Sequence, residues 1–290
     1  MPSISTLRRD LALFAKYHLW HPVENHPARE GALGLAPLPF DLAEHLARLR
    51  AFEGPRFEVR EEASLLYQGR AHPMLSVSSR APADKTLLVI AGIHGNEHAG
   101  LLAVPRILEK YDSPTRLVVL SPANPVGAAA MSRYNADGYD INRDFVQFET
   151  EEARVVRSLY DRVRPDFVVS LHEGPQDATF MFANRFVSMA LARRCLAALE
   201  SEGTVLADKD YFGLRLKPPG YSGSSRLARG VNRLWAASLG MMASIAYSEG
   251  RGIPELVLES AWRNPDLEAR VQPHVTLTRV LLEALAPPLA

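Results

Sequence analysis

Thr86-Leu87-Leu88-Val89-Ile90-Ala91, followed by Gly92-Ile93-His94-Gly95-Asn96-Glu97-His98, decides how the chain is read. Six consecutive apolar or β-branched residues closed by glycine describe a strand buried on both faces, because a half-exposed strand would alternate with polar residues. A helical pattern follows over His98–Lys110. The same alternation continues outward: strand Leu117–Leu120, helix Thr150–Arg162, strand Phe167–Ser170, helix Phe186–Ser201, helix Asn232–Leu239, strands Ala243–Tyr247 and Glu255–Leu258, and a closing helix Asp266–Leu285. Strands spaced by helices predict an α/β fold, with a mixed, largely parallel central sheet and helices on both faces. Upstream, Arg56–Arg60, Ser64–Tyr67 and Met74–Ser78 read as a small meander. Residues 1–55 read as an N-terminal helical extension, with helices near Leu7–Tyr17 and Asp41–Phe52, set before the main domain over 56–290.

Composition bounds the function. The 290 residues are 47% hydrophobic and 23% charged, which excludes a mostly disordered chain. Thirty-three basic residues balance thirty-three acidic ones, so bulk charge gives no argument for nucleic acid or an anionic membrane as partner. The single cysteine, Cys195, excludes an internal disulfide and a cysteine-rich zinc module, and suits a reducing compartment. The first residues lack a secretory pattern and no apolar run is long enough to span a membrane, so the expected location is cytoplasmic.

Open parallel sheets carry their sites beyond the carboxyl ends of the strands. Here those ends deliver His94 and Glu97 after the first core strand, His172 and Glu173 after Phe167–Ser170, and Glu259 after Glu255–Leu258. A lone His-x-x-Glu is common by chance; its placement in a glycine-flanked turn, with a second histidine from another strand end, is not. His94, Glu97 and His172 form a His₂Glu set that leaves a fourth tetrahedral position open, the pattern of a catalytic zinc site. Magnesium and calcium favour an oxygen-dominated shell instead. His98 is a competing ligand whose place in the helix turns it toward a structural role. His18, His21, His26 and His45 lack such framing and are expected on the surface.

These segments resemble the zinc carboxypeptidase superfamily, including its succinylglutamate desuccinylase/aspartoacylase group. Gly92-Ile93-His94-Gly95-Asn96-Glu97 is similar to the GxHGxE box. Arg133-Tyr134-Asn135-Ala136-Asp137-Gly138-Tyr139-Asp140-Ile141-Asn142-Arg143-Asp144-Phe145 resembles the R-x-N-x-x-G-x-D-x-N-R-x-F segment. Ser170-Leu171-His172 resembles the segment of the third ligand, and Leu256-Val257-Leu258-Glu259 the strand ending in the catalytic glutamate. The four occur in family order over residues 86–260. The resemblance implies a zinc-carboxypeptidase-like fold and one zinc per chain on His94, Glu97 and His172. It implies Glu259 as general base, Arg133 polarising the scissile carbonyl, and Asn142 with Arg143 gripping a substrate carboxylate.

The expected activity is therefore zinc-dependent hydrolysis of an amide bond next to a free carboxylate in a short peptide or peptide-like substrate. The same machinery would serve an N-acyl amino acid deacylase, and a non-catalytic binding protein on the scaffold is a third reading, disfavoured by the retention of Glu259. Expected partners are small peptides or N-acyl amino acids, with no nucleic acid and no membrane, and an oligomer is compatible. The resemblance also implies a tyrosine near the substrate, for which Tyr221 and Tyr247 are the alternatives. Phe180-Met181-Phe182 reads as packing or pocket lining, and Glu173 as a partner of the ligands or a reader of positive charge.

Overall fold

The structure is a computed structural model that describes residues 40–210 and 213–287. In chain order its elements are α1 (Leu42–Arg50), β1 (Phe57–Tyr67), β2 (Arg70–Ser79), β3 (Thr86–Ala91), α2 (His98–Glu109), β4 (Arg116–Ser121), α3 (Pro125–Ala130), α4 (Glu151–Val163), β5 (Phe167–Gly174), β6 (Phe180–Ala183), α5 (Met189–Ser201), β7 (Tyr221–Gly223), α6 (Arg226–Leu239), α7 (Ser244–Gly250), β8 (Glu255–Ala261) and α8 (Leu267–Leu285). One eight-stranded sheet runs β1-β2-β4-β3-β5-β8-β6-β7. Its centre, β4-β3-β5-β8, is parallel, while β1 and β2 pair antiparallel and β6 runs against β8.

β3, β5 and β8 are buried along their whole length, as the uninterrupted apolar run of β3 requires. Alternate side chains leave opposite faces. Leu87 and Val89 join one core with Leu46 and Leu49 of α1, Leu101 and Leu108 of α2, Leu196 of α5 and Leu281 of α8. Leu88 and Ile90 join the other, with Val156, Leu159 and Tyr160 of α4 and the Tyr247 ring of α7. Helices thus cover both faces, as the alternation predicts.

Several local expectations are corrected. The two short runs before residue 70 are one strand, β1, because a bulge between Glu61 and Ala63 interrupts the alternation without ending the pairing to β2. The run Ala243–Tyr247 is not a strand but enters α7; Ser244 and Ser248, one helical turn apart, both bond the buried Glu255 carboxylate, an arrangement that only a helix provides. Helix α5 starts at Met189, with Ser188 accepting the Leu191 N–H as its cap, and α6 begins six residues earlier than the apolar pattern suggests. His45 is not on the surface. It lies on the inner face of α1 with Leu46 and Leu49, its Nε2 2.9 Å from Ser121 Oγ. The expected helix Leu7–Tyr17, and His18, His21 and His26, lie outside the described residues.

Candidate metal centre and cleft

Three loops at the carboxyl edge of the sheet build the site. After β3 the chain turns at Gly92 (φ +74°), where an L side chain would be strained and a Cβ would press into Leu101. At Gly95 the backbone runs against the backbone of Gly127 on α3, and a Cβ there would lie 2.0 Å from the Gly127 carbonyl carbon. That contact sets the turn between His94 and Glu97. Glu97 occupies the position before α2 without capping it, so its carboxylate is free to turn toward the sheet.

His94, Glu97 and His172 converge, with one potential ligand atom from each within 4.8 Å of the others. Glu97 Oε1 lies 2.6 Å from His94 Nδ1 and its Oε2 lies 2.7 Å from His172 Nδ1; the two Nδ1 atoms are 3.1 Å apart. Two imidazole nitrogens this close, both facing one carboxylate, repel through their lone pairs unless a cation or a proton sits between them. The donor set of two nitrogens and a carboxylate fits zinc, and all three residues are buried. Burial alone would raise the Glu97 pKa, but the His94 and His172 imidazoles hold it well below the ordinary range. Burial pushes the His172 pKa down, against the pull of Glu97, so its imidazole is neutral and fit to ligate.

Asp140 organises the outer side of this cluster, a role that the sequence reading did not assign. It is fully buried, faces His94 Nε2 at 3.2 Å through Oδ1 and takes a two-pronged bond from Arg133 through Oδ2 at 2.9 and 3.1 Å. With Nε2–H donating to Asp140, His94 turns its Nδ1 lone pair to the cluster. Against the cost of burial, Arg133, Arg143 and His94 hold Asp140 ionised, well below the usual carboxylate range. The only sequence signal is an aspartate two residues before Asn142, in the segment that also carries Arg133.

The surrounding loop is held by its own polar residues. Asn135 accepts the Asp137 and Tyr139 N–H groups and donates to Glu152, while Asp144 accepts from the Thr150 backbone and hydroxyl. The loop brings Arg133 Nη1 within 3.3 Å of His94 Nδ1 and 3.6 Å of Glu97 Oε1. Asn142 and Arg143 follow on a short 3₁₀ turn. Asn142 accepts the Ser244 N–H at 2.9 Å, and Arg143 donates to the Asn142 carbonyl at 2.6 Å while its Nε is buried without a hydrogen-bond partner. Glu259 stands on β8 beside His172 of β5. Burial, with the charges of Glu97 and Glu173, pushes its pKa well above the ordinary value, although Arg133 pulls the other way.

Other candidates separate clearly. His98 packs on Phe40 and bonds the Ala128 carbonyl, away from the cluster. Glu173 is paired with the buried Arg270 at 2.8 Å and accepts the Ala99 N–H, pinning α2 to α8. Tyr247 packs among Phe145, Phe148 and Tyr160, with its hydroxyl bonded to Arg251, whereas Tyr221 lines the cleft. Phe180 and Met181 are core residues and Phe182 faces the cleft.

His94, Glu97, Arg133, Asn142, Arg143 and Glu259 all border one cleft of about 1580 Å³. Its far wall comes from the segment between α5 and α7, including Tyr221, Arg233 and Trp235. No helix among the described residues is long and apolar enough to cross a membrane.

A mixed sheet bearing this cluster at its carboxyl edge is a metallocarboxypeptidase-like fold, shared with solved metallopeptidases. Residues 83–204 match the family model of the succinylglutamate desuccinylase/aspartoacylase catalytic domain. Carboxypeptidase 2 of Trichophyton tonsurans is 30% identical over 127 residues, covering 37% of this chain and 23% of that protein. The chain thus matches only about a quarter of the length of its curated relatives. A candidate metallopeptidase from Shewanella amazonensis superposes with a TM-score of 0.64 at 19% identity, over 85% of this chain and 91% of that one. A metallo-carboxypeptidase from Pseudomonas aeruginosa, solved with (2-guanidinoethylmercapto)succinic acid, gives 0.58 at 21% identity, over 84% and 68%.

Proposed function

We propose that the protein is a zinc-dependent hydrolase that cleaves an amide bond next to a free carboxylate in a short peptide or peptide-like substrate. The observation that carries this reading is the convergence of His94, Glu97 and His172 beside Glu259, on the floor of a cleft that Arg133, Asn142 and Arg143 also border. Bound zinc would supply Lewis acidity toward the scissile carbonyl and toward water.

The protein's own groups account for the rest. Glu259, made more basic by burial, takes a proton from the attacking water and returns one to the leaving nitrogen. Arg133 is a permanent cation held in plane by Asp140, so it faces the developing oxyanion without having to reorganise. Arg143, with a buried Nε lacking a partner, offers a fork for the substrate carboxylate, and Asn142 offers its amide N–H groups. The cleft, at about 1580 Å³, exceeds the span of about 300–1,000 Å³ usual for small-molecule pockets, which favours a peptide over a single N-acyl amino acid.

The test is a screen of zinc-loaded protein against short peptides with free terminal carboxylates and against N-acyl amino acids. Release of carboxy-terminal amino acids from peptides is expected. Turnover of N-acyl amino acids alone would replace this reading with a deacylase, and turnover of neither, with zinc bound, would overturn hydrolysis.

A further inference from the structure

The far wall of the cleft is basic, although the whole chain carries equal numbers of basic and acidic residues. Arg215, Lys217, Arg229 and Arg233 line it, with Arg185 before α5 beside them, against two carboxylates, Asp210 and Glu249 of α7. Glu249 is already engaged by Arg185 and Arg229, at 4.0 and 3.8 Å. Arg215, Lys217 and Arg233 form no ion pair with any described residue.

The backbone explains why these three face the cleft. Leu216 is buried with Phe180 and Ala207 and anchors this segment, while its neighbours Arg215 and Lys217 are exposed and both line the cleft. On α6, Arg229, Asn232, Arg233 and Ala236 recur at helical spacing and form the face turned to the cleft. Two separate elements thus aim unneutralised cations into one concavity, where a low-dielectric wall concentrates their field.

We propose that this wall is a subsite for carboxylates on the acyl side of the scissile bond, so that the preferred substrates are acidic peptides. The assignment rests on the hydrolase reading for its direction: if Arg143 takes the terminal carboxylate, the remainder of the cleft receives the residues that precede the bond cleaved. Exposed cation–carboxylate pairs are individually worth about twofold at the modest end of their range, so three together give about tenfold.

Two peptides sharing their last two residues and a free terminal carboxylate, preceded by Glu-Glu-Glu or by Gln-Gln-Gln, form the test. Binding to zinc-loaded Glu259→Gln protein is read by calorimetry, and cleavage by wild type is read as kcat/KM. The Glu peptide should be favoured about tenfold, mainly in Kd and KM, at about 50 mM salt, and by much less at about 0.5 M, where screening shortens the reach of charge. The combined Arg215→Gln, Lys217→Gln and Arg233→Gln variant should bring the ratio close to one; if it does not fold, the salt dependence of the wild-type ratio decides. Equal binding of the two peptides by the zinc-loaded protein, or a preference that survives both salt and the combined variant, would overturn the subsite. Both peptides cleaved equally would remove the subsite and keep the hydrolase. An acidic preference in binding that salt and the variant abolish, with no cleavage by wild type, would keep the subsite and remove the hydrolase.

Discussion

His172 and Glu259 are register partners on adjacent parallel strands, β5 and β8. Side chains at the same level of neighbouring strands leave the same face of a sheet, and the strands lie about 4.8 Å apart. A proposed metal ligand and the proposed base are therefore spaced by backbone hydrogen bonding, not by loop conformation. Glu259→Gln keeps shape and packing but removes the proton acceptor. Turnover should fall by about 10²–10⁴-fold, the usual contribution of a positioned base, with zinc content by elemental analysis unchanged.

Metal retention should depend on Asp140 as well as on the three proposed ligands. His172→Ala should lose most bound zinc after dialysis against chelator, since only Glu97 and His94 would remain. Asp140→Asn removes the carboxylate facing His94 Nε2 and the partner of Arg133, and should weaken zinc binding by about 10–100-fold in competition with a chromophoric chelator. Stoichiometric zinc in His172→Ala would refute the ligand assignment.

Recognition of the terminal carboxylate is checked with matched substrates, free acid and carboxamide. Wild type should prefer the acid by about 30-fold to several thousand-fold in kcat/KM, the equivalent of about 2–5 kcal/mol for a buried charge left unpaired. Arg143→Ala should largely abolish the preference, and Arg143→Lys should restore only part of it, because an ammonium lacks the planar fork. Equal cleavage of both by wild type would remove the clamp.

Beneath the cleft, Glu255 is buried among the Ser170, Ser244 and Ser248 hydroxyls, and burial raises its pKa from 4.5 to about 6. A carboxyl whose folded pKa lies above its unfolded one binds protons more tightly when folded, so it favours folding most at low pH and loses that contribution as pH rises from 4.5 through 6. Glu255→Gln cannot ionise. Relative to wild type its unfolding free energy should therefore gain about 2 kcal/mol between pH 4.5 and 7, measured by denaturant titration at several pH values. A flat difference would show that Glu255 does not titrate in this range.

The backbone contact of Gly95 with Gly127 has its own test. Gly95→Ala forces a Cβ into main chain that cannot step aside, and should cost at least about 3 kcal/mol, read as a lowered thermal midpoint and as loss of zinc. Gly230→Ala, in the interior of α6 with open space around it, should instead stabilise by about 0.5–1 kcal/mol.

What could be read in advance follows from how local each determinant is. The runs TLLVIA, FVVS and ELVL announce buried strands by themselves, and the residues just beyond them compose the candidate metal cluster and its neighbour Glu259. Features defined by a distant partner were illegible. The helix α7 exists because Ser244 and Ser248 answer a carboxylate on β8; His45 is buried because Ser121 and Phe40 receive it. Asp140 looks like any loop acid until His94 and Arg133, on other segments, close around it. The far wall of the cleft is likewise invisible as a local pattern, because its cations share a face only after β7 and α6 dock.

The three-residue β7 sits at the margin of the sheet, next to β6, and it is from this margin that the far wall of the cleft hangs. The cluster and its base belong instead to β3, β5 and β8, in the interior, where any change disturbs both neighbours. Such a layout separates what can drift from what cannot. Under the proposed function, insertions, deletions and charge reversals between α5 and α7 would alter what the molecule selects and leave the geometry of the reacting centre unchanged. New preferences can therefore arise on this scaffold by rewriting one border.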